Sequence, residues 1–133
     1  MSNIPTVQGI YAAFGRGDVP AILAHLAEDI VWEYAIADTG VPWLQPQAGR
    51  AGVVKFFESF AAVDFQKFQP KNFLENGSLV VALIDAVLVV KATGRTISEE
   101  DEVHLWHFNT QGQVIRFGHK VDTHQHWLAF HGK

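Results

Sequence analysis

Residues 101–122 read DEVHLWHFNTQGQVIRFGHKVD, and they set three histidines among bulky apolar side chains on two runs joined by a Gln111-Gly112 turn. An imidazole titrates near pH ~6.5, so modest burial or one neighbouring charge makes it a working acid or base at neutrality. A carboxylate beside it holds one tautomer and favours the imidazolium. Glu102 and Asp122 are the candidates for that role, or for a base in their own right if desolvated. A phenol such as Tyr34 or Tyr11 can donate a hydrogen bond to a carbonyl oxygen as it becomes an enolate. Together these side chains describe proton transfer on a carbonyl compound.

Which of them share a space depends on strand phase, because residues two apart lie on one face of a strand. Over 100–108 one face carries Glu100, Glu102, His104, Trp106 and Phe108, and the other carries Asp101, Val103, Leu105 and His107. Other elements must set the rest. Val7, Ile10, Tyr11 and Phe14 recur at helical spacing after Pro5, and Gly15 and Gly17 end that helix. Asp18 caps a short second helix with Pro20 just inside it. Residues 30–35, IVWEYA, read as a strand. A loop with Pro and Gly follows, carries Trp43, and is suited to act as a lid. Val53, Phe56, Phe57 and Phe60 form the stripe of a third helix. Segments 64–75, 79–92, 96–109 and 113–122 then read as a four-strand meander, and Thr123 caps a terminal helical turn.

Helices first and strands afterwards predict an α+β domain, three N-terminal helices packed on one face of a curved, mostly antiparallel sheet. With 133 residues, 48% of them hydrophobic, the chain suits one domain over 1–133. A net charge of −4 with no basic stripe argues against nucleic acid as a partner. No stretch has the apolar length of a membrane helix or the pattern of a leader, so a cytoplasmic protein is expected. There is no cysteine, which removes thiol chemistry. No dinucleotide or phosphate loop is present, and no cofactor is expected. The sequence holds seven histidines, but His124 and His126 diverge if that segment is helical, so no metal site is expected.

LAEDIVWEY after the Gly-Asp turn, GRAGVVKFFESFA, and EVHLWHF with GQVIRFGHKVDT resemble the SnoaL-like proteins. These are relatives of ketosteroid isomerase in the nuclear transport factor 2-like superfamily, and the resemblance covers nearly the whole chain. It implies a cone-shaped α+β barrel. The family includes isomerases, aldol-type cyclases, dehydratases and members without known activity. Ketosteroid isomerase uses an aspartate base with a tyrosine and a protonated aspartic acid as donors to the oxyanion. By position these fall at Tyr34, at Ile10 (one step from Tyr11) and at His104, so none is kept and a steroid isomerase of that kind is not expected.

The resemblance turns His104 inward, and with it Glu102 and Trp106. By the same phase Phe117, His119 and Val121 face in, unless a bulge intervenes before Asp122, while Trp32 and Tyr34 face in and leave Glu33 outside. The implied site is an aromatic box of Trp32, Tyr34, Trp43, Trp106 and Phe117 beside Tyr11. His104 and His119 would act as acid or base, Glu102 or Asp122 as orienter, and Tyr34 as oxyanion donor. The expected ligand is a small apolar carbonyl compound, with a non-catalytic binder or a dimeric association module as the alternatives. The outer sheet face, with Asp85, Val87, Val89, Leu105 and His107, is expected to pair with a second copy, because both faces of 79–92 are apolar.

Overall fold

The computed structural model describes all 133 residues. Four helices pack on a six-stranded sheet. Helix α1 (Ile4–Gly15) starts with Pro5 in its first turn and buries Val7, Ile10 and Ala13. Helix α2 (Val19–Leu23) follows the Asp18 cap, whose carboxylate accepts from the Ala21 N–H at 3.1 Å. Strand β1 spans Leu26–Trp32, β2 is the two-residue Gln47–Ala48, and α3 covers Gly49–Ser59 before a 3-10 turn at Phe60–Ala62. Strands β3 (Val63–Asn76), β4 (Leu79–Val90), β5 (Thr96–Phe108) and β6 (Val114–Lys120) lead to α4 (Thr123–Phe130). No helix is long and apolar enough to cross a membrane.

The strand order is β2-β1-β6-β5-β4-β3. All neighbours are antiparallel except β1 and β6, which run parallel. The α+β layering is the one the sequence implies. The sheet, however, is open and ends at β2 and β3, so it is not a closed barrel. Strict alternation governs β4: Val80, Ala82, Ile84, Ala86, Leu88 and Val90 are buried toward the helices, while Val81, Leu83, Asp85, Val87 and Val89 are half-buried on the far face. All four helices serve the first of these faces, and two aromatic-rich clusters fill the space between.

Irregularities at three places in the sheet reset the side-chain phase. Strand β3 carries an extra residue between Phe65 and Lys67 and another between Pro70 and Asn72. These shifts place Phe65, Phe68 and Phe73 opposite Leu88, Ala86 and Ala82, all on the inner face, although their spacing is not a multiple of two. Three residues of β4 (Ile84 to Ala86) are matched by four of β5 (Glu102 to Glu99), and Asp101 takes up the excess at φ 61°. The third lies at the end of β1, where Glu33 and Ala35 have φ of 61° and 58°. The strand expected to run to Ala35 therefore stops at Trp32.

Ala35 is exposed and left-handed, a conformation that costs an L-residue about 1–2 kcal/mol and a glycine almost nothing. Ala35→Gly should therefore stabilise the chain by about 0.5–1 kcal/mol in urea denaturation, after the larger unfolded-state entropy of glycine is subtracted. A loss of stability would show that the turn is not held in this form.

Candidate active site

Between helices and sheet lies a cavity of about 60 Å³, lined by 18 residues of which 14 are hydrophobic. The sheet supplies Trp32, Trp106 and Phe117; the Trp32 and Phe117 rings stack with centroids 4.1 Å apart. The helices supply Ile10, Tyr11, Phe14, Phe56 and Phe57. Into this apolar lining project Glu102, His104, His119 and His126. His104 and His119 are direct cross-strand partners on β5 and β6, and their rings stand 5.5 Å apart and nearly perpendicular.

Each imidazole is tied to a different carboxylate. Trp106 Nε1–H donates to the Tyr11 oxygen at 2.9 Å, and indole is a donor only, so the Tyr11 hydrogen is free to go to His104 Nδ1 at 2.7 Å. His104 Nε2 must then carry its ring hydrogen, which points at Glu102 Oε2 at 2.5 Å. The chain of donors runs one way, from Trp106 to Glu102. Burial holds His104 below the ordinary imidazole value against the pull of Glu102. Burial also drives the Tyr11 phenol well above its usual range. Burial pushes Glu102 up, but the His104 hydrogen bond and the surrounding imidazoles outweigh it and leave the carboxyl below its usual range. Glu102 Oε1 has no protein partner.

The second pair is His119 with Glu33. The Glu33 side chain is fully buried; its Oε1 accepts from the His119 backbone N–H at 2.9 Å, and its Oε2 lies 2.6 Å from His119 Nδ1. That contact is an ion pair whose ring N–H is not aligned on the oxygen. Burial works against a charged His119, yet the Glu33 carboxylate, helped by Glu102 and Glu99, raises it above the ordinary imidazole value. His119 Nε2, like Glu102 Oε1, makes no hydrogen bond within the protein, and Trp32 Nε1 is a further buried donor without a partner. The third pair is His126, whose Nδ1 accepts from Trp43 Nε1–H at 2.9 Å and whose Nε2 stands 3.4 Å from Glu99.

The structure brings together Glu102, His104, His119, Tyr11, Trp32, Trp43, Trp106 and Phe117. It separates two others. Tyr34 was expected inside, but the left-handed Glu33 breaks the alternation, so Glu33 goes in and Tyr34 goes out. On the outer face the Tyr34 hydroxyl meets His107 Nε2 at 2.8 Å, and the Arg116 guanidinium lies 4.0 Å above its ring. Gly118 permits this, since a Cβ there would stand 3.1 Å from the ring. Asp122 is exposed and caps α4, accepting from the Gln125 N–H at 3.1 Å, in the place expected of Thr123. The loop around Trp43 is a wall rather than a lid: Val41, Trp43 and Leu44 are fully buried in one of the core clusters.

Glu33, Glu99 and His126 were not anticipated. Glu99 opens the acidic run 99–102, whose default place is a solvated strand start, and the bulge at Asp101 turns both Glu99 and Glu102 inward. The only outward sign for Glu33 is a carboxylate inside an otherwise apolar strand segment. No group of three or more His, Asp or Glu side chains is arranged to hold a metal ion.

Residues 7–117 match the profile of the SnoaL-like domain, and the chain belongs to that family. Its backbone is similar to an NTF2-like protein of unknown function from Burkholderia pseudomallei, with 28% identity over 98% of both chains and a TM-score of 0.83. An NTF2-like protein from Burkholderia xenovorans is 26% identical over 96% of this chain and 95% of its own, with a TM-score of 0.83. TerC, crystallised with polyporic acid, shares the fold at 23% identity, 97% and 98% coverage and a TM-score of 0.81. No curated protein matches the chain in sequence.

Removing one member of a buried ion pair leaves the other uncompensated, at a cost of roughly 3–5 kcal/mol. Glu33→Gln should lose about that much stability and move the His119 ring titration to lower pH, read by imidazole nitrogen NMR. Because His119 is raised in the fold, the pair's contribution is complete below about pH 6.5 and fades as pH rises through the raised value. The stability gap between the two proteins should narrow on the alkaline side. An unmoved His119 titration would remove Glu33 as its partner.

Proposed function

We infer that this protein is a small-molecule enzyme that transfers a proton on a hydrophobic carbonyl compound, in the manner of an isomerase, cyclase or dehydratase. The observation that carries this reading is that Glu102 and His119 line one apolar cavity, with Glu102 Oε1 and His119 Nε2 outside every hydrogen bond and ion pair of the fold. One belongs to an acid held ionised and the other to an imidazole favoured as its cation. Glu102 Oε1 takes the hydrogen next to the carbonyl as a proton, and the C–H electron pair becomes the enol double bond. The carbonyl π pair moves onto oxygen, where His119 Nε2–H donates. Return of the proton from Glu102 to the same or a neighbouring carbon restores the carbonyl. Glu33 keeps His119 charged, and the Tyr11–His104 chain holds Glu102 in place through its other oxygen. Tyr34 and Asp122 have no part in this step.

The experiment needs no knowledge of the natural substrate. In D2O, 2-tetralone exchanges the hydrogens beside its carbonyl, and proton NMR follows the loss. The protein should accelerate exchange, and Glu102→Gln should abolish roughly 10²–10⁴-fold of it, the usual worth of a positioned base. The rate should hold from the weakly acid range through neutrality and fall as His119 loses its proton above the ordinary imidazole value; His119→Gln should remove that descending limb. Saturable binding of the ketone without accelerated exchange would reduce the protein to a binder.

The far face of the sheet supports a second copy of the chain as partner. Val81, Leu83, Val87 and Val89 of β4 and Val103 and Leu105 of β5 are half-buried there with no helix over them. Leu105→Glu should convert a dimer into a monomer in sedimentation velocity. A wild-type monomer at micromolar concentration would remove this partner.

A further inference from the structure

One wall of the cavity borders an outer groove. At the far end Trp43 and Leu44 are fully buried, and toward the sheet so are Trp32, Trp106 and Phe117. On the side between α1 and β3 the lining residues Tyr11, Phe14, Phe65 and Phe68 are only half-buried. Outside that wall lies an open groove of about 540 Å³, and those same four residues line both spaces. Phe68 is the ring between them. Its centroid is 4.9 Å from Phe14 and 5.9 Å from Tyr11 on α1, and 6.2 Å from the His104 imidazole within.

The backbone beneath Phe68 belongs to an interrupted edge. Strand β3 is an edge strand, paired on one side only, and its two bulges bracket Phe68 at Phe65–Lys67 and Pro70–Asn72. Each bulge leaves one residue, Gln66 or Lys71, out of the ladder, so Phe68 sits in a short paired run between two breaks with no neighbour strand on its outer side. A ligand wider than a few waters cannot reach Glu102 and His119 unless some wall yields, given an inner volume of about 60 Å³. Phe57 and Phe60 are half-buried as well but border no outer groove, and the sheet wall would have to expose buried Trp32 and Trp106.

We propose that Phe68 is the door of the cavity: small ketones reach Glu102 and His119 from the outer groove by displacing this ring between α1 and β3, and its bulk sets the admission rate. The proposal rests on the cavity being a ligand site, as the proposed function has it. Part of a ligand too long for the inner space remains in the groove between Phe14 and Phe65, which makes Phe68 a determinant of ligand length as well.

The test is stopped-flow binding of 1-indanone, followed by quenching of the cavity tryptophans. Phe68→Ala should raise the association rate about tenfold and the dissociation rate in step, because a door changes rates more than affinity. Phe68→Leu, the milder substitution, should fall between, and Phe68→Trp should be slower than wild type. Leu74→Ala, an exposed change on the same strand that lines neither space, should leave the association rate unchanged. Saturable quenching whose rates ignore residue 68, or respond equally to residue 74, overturns the door and leaves the function reading standing. No saturable quenching in the wild type or in any variant overturns both.

Discussion

An ionisable side chain inside a hydrocarbon cavity must find its counterpart there, because transfer out of water penalises a lone charge by several kcal/mol. That constraint organises this molecule. Three imidazoles reach the cavity, and each is tied to a separate carboxylate: Glu102 to His104, Glu33 to His119, Glu99 to His126. The pairs are not equivalent. The Trp43 N–H donates to His126, and the Tyr11 phenol, itself held by the Trp106 N–H, donates to His104, so each contact fixes which nitrogen carries hydrogen. His119 has only Glu33, and it is the imidazole pushed toward its charged form.

The inequality follows from burial and from hydrogen-bond direction more than from distance. His104 is saturated, with Tyr11 at Nδ1 and Glu102 at Nε2, so it can steady a carboxylate but has no nitrogen left for a ligand. It also opposes His119 in its pH response. Depressed by burial, His104 must take up a proton at a disadvantage as pH falls below about 6.5, so it removes stability in acid where the His119 pair supplies it. A cavity built from both kinds of histidine keeps opposite charges side by side near neutrality.

Backbone irregularity is what brings the carboxylates in. A regular β5 would place Glu99 and Glu102 on opposite faces, since they are an odd number of residues apart; the extra residue at Asp101 puts them on one. A regular β1 would send Glu33 to the outer face and Tyr34 inward, and the left-handed Glu33 reverses that. The same device on β3 turns Phe65, Phe68 and Phe73 to the helices despite their odd spacings. Left-handed backbone at a non-glycine residue costs about 1–3 kcal/mol, and at Glu33 the surroundings that hold it are the His119 backbone N–H, its imidazole and the Phe117 carbonyl.

From the sequence alone came whatever depends on period and on neighbours in the chain. The helical stripes of Val7, Ile10 and Phe56, the four long strands, the Asp18 cap and the shared faces of His104 with Trp106 and of Phe117 with His119 all rest on repeating geometry that one segment carries within itself, and the order of elements gave the layering. The family resemblance chose which strand face is inner. What no window of residues encodes is where a strand slips by one. Whether Glu33 or Tyr34 enters the cavity and whether Glu99 joins Glu102 depend on single left-handed residues and on partners such as His119, 86 positions from Glu33. A strand's phase is a local property only until a bulge shifts it, and the packing that stabilises the bulge is assembled from the whole fold.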